Sequence, residues 1–104
     1  FAGDIINLNN NNVIFVMDKT PSYFTDAAER DMFRKALDDI KQTGKNILVV
    51  SADGYGYWNT AKDGIRYINL PDLWYETGSL NRNYRILRVE VTNGDMKYDA
   101  VNVF

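Results

Sequence analysis

An α/β fold is predicted by three features of this chain. Val13-Ile14-Phe15-Val16-Met17 and Ile47-Leu48-Val49-Val50 are continuous apolar runs, the pattern of strands covered on both faces. A single amphipathic helical pattern lies between them. Further on, Asn93-Gly94 separates two alternating segments and is the strongest short hairpin signal in the chain. Together these predict a βαβ unit followed by antiparallel strands and a C-terminal hairpin, in a mixed sheet.

Residues 1–12 are poorly patterned, and the tract Asn9-Asn10-Asn11-Asn12 reads as a loop or linker. Residues 1–12 are therefore expected to be a linker or a partly ordered segment, and residues 13–104 the folded part. After the first strand, Pro21 turns Thr20 away from helical angles. Asp26 is placed to cap the next helix, with Glu29 three residues later as in a capping box. Ala28, Met32, Phe33, Ala36, Leu37 and Ile40 are predicted to share its buried face, and Gly44 to end it. Residues 45–50 form the second strand, and a right-handed crossover joins it to the first. Residues 51–58 read as a turn, with Gly54 and Gly56 giving the backbone freedom. Asp63-Gly64 is a turn signal and residues 65–70 a strand. Residues 71–83 are an aromatic-bearing loop. In the hairpin, Leu87, Val89 and Val91 fall on one face, and residues 96–103 pair back. No second long helix is evident to cover the far face of the sheet, which predicts a missing partner segment.

Composition narrows the function. At 104 residues the chain is one domain or part of one, and acids and bases are interleaved with a net charge of −2. Neither a basic stripe for nucleic acid nor an apolar run long enough to cross a bilayer occurs. The chain begins at Phe1 and is expected to be a piece of a longer, secreted or cell-surface bacterial protein. Cysteine and histidine are both absent. Thiolate sites and serine triads are thereby excluded, and any catalysis must use carboxylates, tyrosines, lysines or an oxygen-held metal.

The candidate chemistry lies at two strand ends. Asp18 closes the first apolar run and Asp53 follows the second. A βαβ unit delivers both to one edge of a parallel sheet, where open α/β sheets hold their ligands. Two carboxylates there suit Mg²⁺, Mn²⁺ or Ca²⁺, with Asp63, Asn59 or Tyr55 as additional ligands. The competing reading is that both aspartates bond to their own loops.

The order of an apolar strand, Met17-Asp18-Lys19-Thr20-Pro21, a helix, an apolar strand, Ser51-Ala52-Asp53-Gly54-Tyr55 and then Asp63-Gly64-Ile65-Arg66-Tyr67-Ile68 resembles the C-terminal half of the calcineurin-like metallophosphoesterases. The resemblance covers about residues 13–103. It implies half of a metallophosphoesterase sandwich. Asp18 falls on a metal-binding histidine, Ala52 on the glycine of a Gly-His-x-His motif, and Asp53 and Tyr55 on its two histidines. All three histidines are thus replaced, and the family's remaining ligands belong to an N-terminal half. The resemblance therefore implies a degenerate, non-catalytic module with a structural or binding role and no cofactor of its own. Its runner-up is a metal-dependent phosphoesterase completed by the N-terminal half. There, Asp18 and Asp53 would bind Mn²⁺, Mg²⁺ or Ca²⁺, and Tyr55 or Asn59 would position substrate.

The aromatics Tyr55, Tyr57, Trp58, Trp74 and Tyr75 support a third reading, in which the rim of the site, with Asn59, binds a glycan or a protein. Against it stands simple burial over the sheet. The expected partners are the rest of a parent chain, a protein or a glycan, with no nucleic acid and no membrane.

Overall fold

The two apolar runs do form adjacent parallel strands. In a computed structural model that describes residues 2–104, β1 (Asn12–Met17) and β2 (Asn46–Ser51) pair in register from Asn12↔Asn46 to Met17↔Ser51. β4 (Ile65–Asn69) adds in parallel on the far side of β2, and β3 (Trp58–Lys62) pairs antiparallel with β4. The four-stranded mixed sheet has the order β1-β2-β4-β3. β5 (Arg85–Thr92) and β6 (Asp95–Asn102) make a separate antiparallel hairpin. The molecule is thus a small mixed α/β domain.

β3 was not expected: it starts at Trp58, the last residue of the predicted turn, and runs through residues 59–62, for which the sequence predicts no element. Lys62↔Ile65 closes a two-residue loop whose Asp63 and Gly64 have φ of 54° and 77°. Asn93 and Gly94, at 53° and 82°, close the β5–β6 loop the same way. Positive φ at both central residues is the type I′ requirement, which suits the strand twist.

α2 (Ala27–Gln42) starts where the cap predicts: the Asp26 carboxylate accepts from the Ala28 and Glu29 amides at 2.9 and 3.2 Å. Its inward stripe is the buried Leu37 and Ile40, flanked by the half-buried Phe33 and Ala36. Ala28 and Met32 do not belong to it, and Met32 is 73% exposed. The helix is turned so that the 33-37-40 row meets the sheet, about 100° from Met32. A short helix, α1 (Ala2–Ile6), packs Ala2, Ile5 and Ile6 on the same core. The asparagine tract after it is tied down. Buried Lys45 donates from Nζ to the carbonyls of Leu8 (2.8 Å) and Asn10, and Asn12 Nδ2 donates to Gly94 O at 3.0 Å.

The core has two halves separated by the sheet. On the helix face lie Leu37, Ile40, Ile47, Val49, Ile65 and Tyr67. On the other face Leu48, Val50 and Ile68 pack against Leu87, Val89, Met96 and Tyr98 of the hairpin. The hairpin therefore supplies the cover that the sequence left to a missing segment. Its cover stops short of β1, which is not buried on both faces as its apolar run predicts: Ile14 is 42% and Val16 81% exposed.

Candidate functional site

The C-terminal ends of β1, β2 and β4 form one rim, and it carries both Asp18 and Asp53. The Ala52 amide donates to the Asp18 carbonyl at 3.3 Å, so Asp18 stands opposite Ala52 and Asp53 one residue further along. Asp18 is exposed and lines an open groove of 320 Å³ with Met17, Lys19, Tyr23, Phe24 and Glu29. Asp53 is half-buried on the β4 side. Among the described residues no group of three or more acids gathers to hold a metal ion.

What organises the rim is a pair of buried asparagines that the sequence did not single out. Asn69 ends β4 opposite Ser51. Its Oδ1 accepts from Ser51 Oγ at 2.9 Å and from the Asp53 amide at 3.1 Å. Its Nδ2 donates to the carbonyls of Asp53 at 2.9 Å and Gly56 at 2.8 Å. All four hydrogen-bonding positions of the side-chain amide are filled. Asn81 does the same for the next loop, donating from Nδ2 to the carbonyls of Tyr55 and Asp72, both at 2.9 Å, and accepting from the Asn83 amide at 3.0 Å. Residues 52–57 and 71–83 are thereby fastened together, with the Asp72 amide on the Gly54 carbonyl at 2.8 Å. One signal for Asn69 was available: a polar residue at the end of a buried strand must find partners. Asn81, inside a loop, carries no such mark.

The aromatics separate into two groups. Tyr55 and Tyr75 meet at the rim with ring centroids 5.0 Å apart, and the Tyr55 hydroxyl accepts from the Glu76 amide at 3.1 Å. Desolvation holds the Tyr55 phenol above its ordinary value of 10.0. The backbone hydrogen bond from Glu76 opposes this, and the Glu76 and Asp72 carboxylates reinforce it. A phenol kept protonated is a poor metal ligand. Trp74 lies in the same loop, 55% exposed. Tyr57 and Trp58, by contrast, are half-buried and pack against the two halves of the core. Tyr57 packs beside the hairpin cluster with the Arg85 guanidinium 4.4 Å from its ring centre, and Trp58 packs on the helix face. Asn59 is on β3, where its side chain accepts from Arg66 Nη1 at 3.1 Å. Asp63 sits in the β3–β4 turn, at the end of β4 opposite the rim.

No family model, curated protein or solved structure matches this chain.

Proposed function

We propose that this chain is a non-catalytic module, a degenerate calcineurin-like phosphoesterase domain with a binding or structural role in a larger protein. The observation that carries the reading is the treatment of residue 53. Both backbone groups of Asp53 are bonded to the buried Asn69 amide, which fixes the loop to β4. A hard divalent ion needs six or more oxygens at about 2.0–2.6 Å. This rim offers two aspartates one residue out of step and a protonated phenol in place of a third ligand. The parallel β1-β2-β4 arrangement supports the resemblance, since it brings the two family positions to one edge.

Thermal unfolding in millimolar Mn²⁺, Mg²⁺ or Ca²⁺ tests it, because an ion that binds only the folded state must raise the midpoint. The expected result is no shift, and no hydrolysis of a phosphodiester ester substrate. A shift abolished by Asp18→Ala or Asp53→Ala would replace this reading with the metal-dependent phosphoesterase.

A second reading is favoured by one observation. Trp74 stands exposed beside the Tyr55–Tyr75 pair on a loop held rigid by Asn81. Flat rings on a fixed loop suit stacking against sugar rings. Soluble oligosaccharides would then change tryptophan fluorescence, and Trp74→Phe would remove the response.

A further inference from the structure

The most informative feature outside the rim is the outer edge of β1. β1 ends the sheet and is paired along its β2 side. The register shows which backbone groups are left over. Asn12 stands opposite Asn46, and the Asn46 amide donates to the Asn11 carbonyl at 2.8 Å. In a parallel ladder this turns the N–H and C=O of residues 11, 13, 15 and 17 toward β2, and those of Asn12, Ile14 and Val16 away from it. Among the described residues, no backbone hydrogen bond reaches that outward set.

The two edges of the sheet differ. β3, at the far edge, carries Asn59, Thr60 and Lys62, and its last four residues are exposed. Charged side chains, lysine above all, blunt an edge against pairing with another strand. Residues 12–17 contain no charged residue, proline or glycine. On the face beside the hairpin, Ile14 and Val16 are 42% and 81% exposed. A row of outward backbone groups and an apolar flank thus coincide on one strand.

We infer that two copies of this chain pair through β1, antiparallel about a two-fold axis at Phe15, joining two four-stranded sheets into one. A second copy is favoured because the edge is complementary to itself. With the axis at Phe15, Ile14 of each copy faces Val16 of the other, so the exposed apolar side chains meet. The same residues hold the outward groups, and each Ile14–Val16 pair exchanges two N–H···O bonds. Beyond them Asp18 faces Asn12 and Lys19 faces Asn11, so no like charges are opposed there. Area sets the strength. The six residues of β1 make a seam about 20 Å long, which buries less than the roughly 1,200 Å² of a stable interface. The dimer is therefore weak and forms at high concentration. The axis sends the two rims to opposite ends of the joined sheet, and the inference does not rest on the phosphoesterase resemblance.

Sedimentation velocity between about 10 µM and 1 mM tests it, with an expected Kd of about 0.1 mM. Val16→Lys puts a charge on the seam and is expected to weaken the dimer at least about tenfold. Thr60→Lys, on the other edge, is expected to leave it unchanged. The register is read with single cysteines, since the chain has none of its own. Mixed Ile14→Cys and Val16→Cys proteins are expected to form a disulfide faster than either variant alone, because only the mixed pair stands directly opposite. That comparison also decides should Val16→Lys fail to fold. A chain that stays monomeric to about 1 mM overturns the inference. So does a dimer unmoved by Val16→Lys, one weakened equally by Thr60→Lys, or a cysteine variant that couples fastest with itself.

Discussion

The two faces of the central sheet are closed by different means, and the helix face is covered further across than the hairpin face. On the helix face, α1 and α2 span the sheet from Val13, Phe15 and Met17 of β1 to Trp58 of β3. Phe15 meets Phe33 edge-on at 5.8 Å. On the other face the β5–β6 hairpin covers β2 and β4 and leaves Ile14 and Val16 uncovered. The difference is geometric. Strands are spaced about 4.8 Å apart, so a two-stranded ribbon laid along a sheet is about half as wide as a four-stranded one. A helix about 10 Å across, with a second one beside it, reaches further. The same asymmetry reaches the rim. The β4 side is fastened by Asn69 and Asn81, whereas the β1 side opens into the groove at Asp18.

The largest expected effect tests the helix face. Leu37 is fully buried at its centre. Leu37→Ala is expected to cost about 3–4 kcal/mol, from lost transfer energy and the cavity left behind. Leu87→Ala, on the half-buried hairpin face, should cost clearly less, about 1–2 kcal/mol. Urea unfolding of both variants measures the gap. Equal losses would mean that the hairpin face carries as much of the core as the helix face does.

The rim comes next. Asn69→Ala removes four hydrogen bonds and leaves the Asp53 amide and the Asp53 and Gly56 carbonyls to find other partners. A cost of about 3 kcal/mol is expected, since each stranded buried group costs about 1–3 kcal/mol and the loop can relax. Asp18→Ala, on the open side, should change stability by less than about 0.5 kcal/mol.

How much of this was legible depends on what each residue's role leaves in the sequence. Asp26 and the 33-37-40 row announced α2, because capping and helical period are local signals. The β1–β2 pairing followed from two apolar runs joined by one helix. β3 was missed because Trp58-Asn59-Thr60-Ala61-Lys62 is an edge strand with its last four residues exposed, so it carries no apolar run. The exposure of Val16 was equally hidden, since an apolar run cannot report where a distant hairpin will stop. Asp18 and Asp53 were correctly sent to one rim, but their offset depends on β1–β2 register, which strand identity alone leaves open. Trp58 and Tyr57 read as rim residues because they follow β2 in sequence. The chain turns back there, and it carries both rings against the two halves of the core.

A smaller effect tests the helix face by pH. Desolvation raises the Tyr67 phenol above 10.0, opposed by Arg34 and assisted by Asp63. The folded state therefore holds its proton more tightly than the unfolded state. The corresponding stability is intact below pH 10 and is lost as pH rises through the higher folded value. Midpoints of thermal unfolding should fall across that alkaline range, and Tyr67→Phe should flatten the fall. An unchanged slope would place the alkaline loss on other groups.

The sharpest comparison makes one substitution twice on one face. Val16 and Val50 are register partners on adjacent strands, so their side chains point the same way. Val50 is buried beneath the hairpin, whereas Val16 lies beyond it. Valine to threonine keeps the shape and the β-branching but exchanges a methyl for a hydroxyl, so it reports burial almost alone. Val50→Thr is expected to cost about 1–3 kcal/mol, the range for a buried hydroxyl without a partner. Val16→Thr should stay within about 0.5 kcal/mol. It should also reduce self-association at high concentration, since β1 is an edge strand with an exposed apolar face. Equal costs at the two positions, measured by urea unfolding, would show that β1 is covered in solution. In that case the difference between the two faces of the sheet would disappear.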